Sequence, residues 1–311
     1  MQLITNQFAP CPLPPVAVAL GTFDGLHRGH MALLEGLKQA ALQHGIATCV
    51  YTFDRHPSCF KSNSPAPLLT PLPLKLELLS QAGIDYCFVE HVSADYFDLS
   101  PKDFVQQILH DKCGAAFVTA GFNYRFGKGR SGTPEQLQTL CRSLKLDCAI
   151  QQPVLENGGP ISSTRVRALI AEGNLPAAAH LLGRNFEICG LVTHGHQRGR
   201  TLLGFPTANL YPPPTLQLPP NGVYLTYAVI DGVRYPAVTN IGKVPTFGEQ
   251  QVSVEAHLLD FDGDLYGKQM KVELVQNIRF EQKFDSVDAL RRQISTDTHA
   301  ARALIRKEPL L

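Results

Sequence analysis

Apolar and polar positions in the first half of the chain switch repeatedly between two periods. Val16 to Leu20 is a short unbroken apolar run ending in a glycine-rich turn, which predicts a strand buried on both faces of a parallel sheet. From Met31 to His44 the spacing becomes helical, with Met31, Leu34, Leu37 and Ala41 expected on one face. Ile46 to Phe53 and Ile84 to Glu90 read as further strands. Ser100, Pro101 and Asp103 supply an N-cap, a first-turn proline and an acidic first turn, opening a helix through Leu109. Ala115 to Ala120 is another strand, Thr133-Pro134 starts a helix to about Lys145, and a strand near Cys148 to Val154 follows. Two short helices, Thr164 to Glu172 and Leu175 to Leu182, complete this half. Strand and helix alternating in this way predict a doubly wound α/β domain with right-handed crossovers.

The pattern changes near Gly183. Prolines cluster at Pro212, Pro213, Pro214, Pro219 and Pro220, and the strands become short. Tyr224 to Ile230 and Val233 to Thr239 flank Asp231-Gly232, a two-residue hairpin signal. Val252 to Leu259 and Met270 to Val275 continue the β pattern, and Ser286 caps a last helix. A small antiparallel β-barrel with a C-terminal helix is the expected result. No internal repeat or low-complexity tail is visible.

Composition sharpens this picture. The 311 residues exceed what one core usually organises, so two domains, 1–183 and 184–311, are expected. A net charge of +1 gives no footprint for nucleic acid or for a membrane surface, so anionic ligands must be held by local geometry. No apolar stretch approaches a membrane span, and Met1 to Pro15 lacks the basic and apolar regions of a signal peptide. The eight cysteines form no CxxC pair, which suits reduced thiols in a cytoplasmic protein without a zinc site.

The string GTFDGLHRGH fills residues 21–30, between the first strand and the first helix. Open α/β sheets bind ligands at the carboxyl ends of their strands, and a helix start attracts anions. His27 and His30, three apart, can face one phosphate from a helical turn. Gly21, Gly25 and Gly29 allow a nucleotide close to the backbone. Asp24 has two readings, a ligand or a brace for the turn. GFNYRFGKGRSG at 121–132 combines glycines with Asn123, Arg125, Lys128 and Arg130, as a phosphate-closing loop or a mobile surface loop would. ISSTRVR at 161–167 sets the hydroxyls of Ser162, Ser163 and Thr164 at a helix start, where one of them caps, followed by Arg165 and Arg167.

In the second half, Gly195, Gly199 and Gly204 surround His194, Arg198 and Arg200, a basic loop able to wrap phosphates with backbone amides. It is not a Walker loop, because no G-K-[ST] follows. Thr207 and Asn209 point to one side of a strand and offer hard oxygens suited to Mg²⁺. Spacing alone favours the plainer reading, a strand end beside a proline-rich stretch. In VSVEAHLL, Val252, Val254, Ala256 and Leu258 take one face while Ser253, Glu255 and His257 take the other. Spacing alone makes that second face an ordinary solvent face.

Together these segments resemble the nucleotidyltransferases that carry an HxGH signature. Within that superfamily the chain is similar to the bacterial bifunctional riboflavin kinase/FMN adenylyltransferases, or FAD synthetases. GTFDGLHRGH, GFNYRFG, ISSTRVR and HLLGRNFEICG (180–190) match in order and spacing; HGHQRGRTLLGFPTANL (194–210), TNIGKVPTF (239–247) and NIRFEQKF (277–284) resemble the kinase barrel. The resemblance runs from about Val16 to the final helix. It departs at Arg55, where the family usually has proline, at Tyr124, where phenylalanine is common, and at Thr119-Ala120 in place of a valine pair. These departures bear on flavin contacts rather than on the reaction.

The resemblance implies two ATP-dependent reactions, riboflavin to FMN and FMN to FAD, with Mg²⁺ as cofactor and no nucleic-acid or membrane partner. It implies that His27 and His30 neutralise ATP phosphates, that Asn123 holds a phosphate or the attacking group, and that Arg167 stabilises the leaving pyrophosphate. Gly21, Phe23, Asp24, Ser162, Ser163 and Thr164 would complete that nucleotide site, with Asn123, Arg125 and Phe126 on the flavin. In the kinase half, Gly195, Arg198, Gly199, Arg200 and Thr207 would take the nucleotide and Arg279 the flavin. Thr207 and Asn209 would hold the metal, and Glu255 would be the base on the riboflavin 5′-hydroxyl. Two other readings compete: an adenylyltransferase for a pantetheine or nicotinamide mononucleotide acceptor, and an oligonucleotide-binding barrel. The kinase-like half argues against the first. The absence of tryptophan and of a basic excess argues against the second. Oligomeric state is not legible.

Overall fold

The computed structural model describes residues 1–5, 14–60, 66–193, 207–245 and 250–306. They form two compact units, dividing between Ser163 and Thr164.

The first unit is built on β1 (Gln2–Thr5), β2 (Val16–Leu20), β3 (Ala47–Phe53), β4 (Tyr86–Glu90), β5 (Ala115–Gly121) and β6 (Asp147–Gln151). All neighbours pair in parallel, in the order β1-β4-β3-β2-β5-β6. Every residue of β2 is buried, as an unbroken apolar run on a doubly covered strand requires. Helices α1 (Arg28–His44), α2 (Leu72–Gln81), α3 (Ala94–Asp98), α4 (Pro101–Asp103) and α5 (Pro134–Ser143) connect the strands, with α4 running on into a π-helical stretch at Phe104–Lys112. Ser100 caps α4 by accepting from the Asp103 amide, and Thr133 caps α5 through the Gln136 amide, both as the sequence predicts.

Three expectations need correction. The buried face of α1 is Leu33, Leu34, Leu37, Ala40 and Ala41, while Met31 is 40% exposed, because the helix is rotated to pack on β2. The strand β6 stops at Gln151, since Pro153 has no amide for a ladder. Beyond it, β7 (Leu155–Glu156) and β8 (Gly159–Pro160) form a small hairpin. The helix α5 ends at Ser143, and Lys145 turns left-handed at φ 57.

Among the described residues, the second unit holds α6 (Ser163–Ala171, all but its first residue), α7 (Leu175–Leu182), six strands and a last helix. The strands are β9 (Phe186–Leu191), β10 (Ala208–Leu210), β11 (Gly222–Ile230), β12 (Val233–Pro245), β13 (Gln250–Leu258) and β14 (Gln269–Phe280), in antiparallel order β10-β13-β12-β11-β14-β9. The Thr193 amide donates to the Asn209 carbonyl at 3.0 Å, so the two edges of this curled sheet meet. Asp231 and Gly232 adopt φ 52 and 80, the left-handed pair a type I′ hairpin demands. Ser286 caps α8 (Val287–Ile305) through the Ala289 amide.

Candidate active sites

The first sheet reverses direction between β2 and β5. From β2 the chain proceeds to β3 and β4 on one side; from β5 it proceeds to β6 on the other. That switch point opens a crevice at the carboxyl ends of β2 and β5, where open α/β sheets take ligands. The two loops leaving those strands are Gly21–His27 and Phe122–Thr133, the glycine-rich strings of the sequence.

The Gly21–His27 loop is unusual in its backbone. Phe23 and Leu26, both fully buried, lie at φ 49 and 38, and Gly25 at φ 89. Each such non-glycine residue costs on the order of 1–3 kcal/mol and persists only where its surroundings over-determine it. Those surroundings are visible. The Gly21 amide donates to the Tyr51 carbonyl at 3.2 Å, and the Thr52 hydroxyl donates to the Thr22 carbonyl at 3.1 Å. The Gly25 amide donates to Thr70 Oγ1, and Ser163 Oγ donates to the Asp24 carbonyl at 2.8 Å. Asp24 is 1% exposed, and its carboxylate accepts from the Leu69 and Thr70 amides, each at 2.9 Å, and from Thr70 Oγ1 at 3.1 Å. In this geometry Asp24 braces the loop.

His27 caps α1, its Nδ1 accepting from the His30 amide. A Cβ on Gly29 would lie 3.1 Å from that nitrogen, so the position is confined to glycine or a shifted ring. The two imidazoles stack with centroids 3.7 Å apart and planes 12° from parallel. His30 Nδ1 is buried without a hydrogen-bond partner. Burial, then the neighbouring His27, then Lys75 hold the His30 pKa well below the usual histidine value. A neutral, unsatisfied ring nitrogen at a helix start fits an anionic ligand that would supply the missing partner.

Asn123 and Arg125 are exposed on the second loop, Arg125 donating to the Tyr124 carbonyl. Phe126 is 4% exposed and packs on Tyr124 and Phe104, which gives it a core role in holding that loop. Ser162 and Ser163 are half-buried at the end of the first unit; Thr164 and Arg167 follow on α6, in the second.

In the second unit, Gly195, Arg198, Gly199 and Arg200 lie outside the described residues. Asn209 on β10 and Asn240 on β12 both stand opposite Glu255 on β13, so an amide flanks the carboxylate on each side. The sequence pattern leaves this face to solvent; instead Ser253 is 1% exposed and donates to Glu255 Oε1 at 3.2 Å. On that face Ser253 is covered, while Glu255 and His257 stay half-buried. Thr207 precedes β10, and Asn209 Nδ2 donates to the Thr207 carbonyl at 3.2 Å, which fixes the amide and leaves its Oδ1 as the acceptor on offer. A hydroxyl and an amide oxygen beside a carboxylate form a hard-oxygen set that fits Mg²⁺, an ion that keeps several waters. The Arg279 guanidinium is engaged by Asp297 at 3.0 Å and by the Phe280 carbonyl, anchoring α8 to β14.

Three residues of these sites escaped the sequence reading, one of them Asn240, which lies inside the string TNIGKVPTF with nothing local to mark it. Lys75 is 6% exposed beside the first loop; its signal is a lysine four residues before buried Leu79 in the apolar helix PLPLKLELL. Ser253 is marked only by its place two before Glu255.

A parallel-sheet nucleotidyltransferase-like unit joined to a curled antiparallel kinase-like unit defines the class. Residues 12–165 match the family described as FAD synthetase, and residues 182–305 match riboflavin kinase. The chain belongs to the bifunctional riboflavin kinase/FMN adenylyltransferase family. The enzyme of that name from Bacillus subtilis (strain 168) is 36% identical over 91% of this chain and 90% of its own. The one from Escherichia coli (strain K12) is 37% identical over 96% of this chain and 95% of its own. The fold also matches a crystal structure described as a macrolide-efflux protein from Streptococcus pneumoniae, with a TM-score of 0.87 and 30% identity, covering 97% of this chain and 99% of that one. Among the described residues, no helix of this chain is long and apolar enough to cross a membrane.

Proposed function

We propose that the chain makes FAD in two steps: ATP phosphorylates riboflavin to FMN in residues 184–311, and a second ATP adenylylates FMN in residues 1–183. The observation that carries this reading is the pairing, in one chain, of a histidine-capped anion site at a sheet switch point with a carboxylate flanked by Asn209 and Asn240. In the adenylyl step an FMN phosphate oxygen forms a bond to the α-phosphorus of ATP as the bond to pyrophosphate breaks. Such a transfer needs positioning and charge neutralisation rather than a covalent intermediate. His27 and His30 meet the triphosphate, Ser163 and Asp24 hold the loop beneath it, and Asn123 and Arg125 reach the flavin phosphate. Arg167 serves the departing pyrophosphate.

In the kinase step Glu255, oriented by Ser253, accepts the proton of the riboflavin 5′-hydroxyl as the γ-phosphoryl transfers. Mg²⁺, held by Thr207 and Asn209, would neutralise charge on the phosphates. Arg198 and Arg200 would grip those phosphates, and Arg279 would border the flavin from its anchor on Asp297. The thiols stay reduced and the enzyme works in the cytoplasm, free of nucleic acid. Incubating purified protein with riboflavin, ATP and Mg²⁺, then separating flavins by chromatography, tests the whole reading. FMN followed by FAD is expected; failure to form either product refutes the corresponding half.

A further inference from the structure

Lys75 is a buried cation with little to hold it. Its Nζ is 3.4 Å from both Thr52 Oγ1 and the Phe53 carbonyl, two long hydrogen bonds for an ammonium that carries three donors. Among the described residues no carboxylate lies within ion-pair distance of it. The nearby carboxylates are already engaged. Asp24 accepts from Leu69 and Thr70; Asp54 accepts from the Val92 amide at 3.1 Å and pairs with His91 at 2.6 Å. Lys75 also sits in the first turn of α2, where the helix dipole opposes a positive charge. Burial lowers its pKa, and Asp24 opposes that only partly. A lysine placed at such cost serves something other than the fold.

The surroundings say what. Lys75 lines a cleft with Thr22, Asp24, Asp54, Arg55 and His56. Thr22 and Asp24 belong to the loop that carries the histidine pair, and Lys75 is close enough to His30 to lower its pKa. We propose that the Lys75 ammonium is a substrate-binding group of the adenylyl-transfer site, taking an anionic phosphate oxygen of the FMN acceptor or of ATP. The proposal rests on the adenylyltransferase reading above. The lysine keeps its proton throughout; as the acceptor oxygen bonds to the α-phosphorus and pyrophosphate leaves, it neutralises charge on whichever phosphate it holds.

The test uses the full chain with Lys75→Met, which keeps the stem and removes the charge, and Lys75→Arg, which keeps the charge. FMN-to-FAD turnover, KM for FMN, KM for ATP and melting temperature are measured for each. Lys75→Met should lose about 10² to 10³ in kcat/KM, the usual effect of removing one positioned donor, with melting temperature unchanged or raised. Lys75→Arg should recover part of the loss. A rise confined to the KM for FMN assigns the acceptor phosphate, and one confined to ATP assigns the triphosphate. Lys75→Met within threefold of an active wild type in kcat and both KM values overturns the proposal. So does a melting temperature lowered by several degrees in both variants with equal losses of turnover, the mark of a structural charge. A wild type inert toward FMN would refute the adenylyltransferase reading itself, and this proposal with it.

Discussion

Replacing Asp24 separates a brace from a ligand. Its carboxylate satisfies the Leu69 and Thr70 amides, and both of those residues are at most 2% exposed. In Asp24→Ala the Thr70 hydroxyl can rotate to another acceptor, but the two amides are left buried and unpaired. At about 1–3 kcal/mol for each orphaned donor, the loss is about 2–6 kcal/mol. For a unit of this size roughly 2–4 °C follows each kcal/mol, so the first unit should melt roughly 4–24 °C lower. Asp24→Asn keeps Oδ1, to which both amides donate at 2.9 Å, and sets an NH₂ where the second oxygen stood, 3.1 Å from the Leu69 amide. That buried NH₂ faces a donor and is itself left unpaired, for about 1–3 kcal/mol.

The assay is hydrogen exchange on the segment containing Leu69 and Thr70, alongside calorimetric melting. Both variants should lose protection at these two amides, the alanine more than the asparagine. FAD formation should fall in the same order, because the loop that presents His27 loosens with them. The reasoning fails if Asp24→Asn melts within about 1 °C of wild type, keeps both amides protected and still makes no FAD. Asp24 would then be a ligand.

Three further outcomes follow from the geometry. His30→Ala should lower FMN-to-FAD turnover by about 10² to 10³ while FMN still accumulates from riboflavin; equal loss of both products in a folded protein would sink the two-site assignment. Glu255→Gln should lower riboflavin phosphorylation by about 10² to 10⁴ with riboflavin binding by fluorescence little changed and FMN adenylylation intact, and turnover within threefold would return Glu255 to a structural role. The folded-state pKa of His30 lies below its unfolded value near 6.5, so between those values the unfolded chain binds more protons and stability falls as pH drops through about 6.5. Urea titrations from pH 7.5 to 5 should show that fall and His30→Gln should flatten it, while ATP binding near pH 6.5 should take up a proton, visible in calorimetry across buffers of different ionisation enthalpy.

What was legible in the sequence was local. The caps at Ser100, Thr133 and Ser286 and the Asp231-Gly232 turn each depend on a few adjacent residues, and each formed as read. The edge strand β1 went unread because QLIT is too short and too mixed to show a period, and only its pairing with β4 makes it a strand. Met31 fits the helical spacing of Leu34, Leu37 and Ala41 yet is 40% exposed, because spacing does not say how far a helix is rotated on its sheet. The sites divide in the same way. The histidine pair is a contiguous string, whereas Asp24 is tied to residues 45 and 46 positions away and Lys75 meets Thr52 across 23. Ser253 looked like a solvent residue because alternation is blind to a sheet that curls.

These long-range ties explain why the first loop can hold its shape without a ligand. Phe23 and Leu26 together store on the order of 2–6 kcal/mol of backbone strain. The hydrogen bonds from Asp24 to the 69–70 segment, weighed by what their loss would cost, supply stabilisation of the same order. The strain alone aims no chemistry. Its effect is to turn the chain sharply enough that His27 caps α1 with its own ring and leaves His30 Nδ1 unsatisfied beside it. A relaxed loop would let both rings reach water and lose the low-dielectric surroundings that strengthen a contact to phosphate. The brace and the anion site are therefore one device, and damage at Leu69 or Thr70 should be felt first as weaker ATP binding.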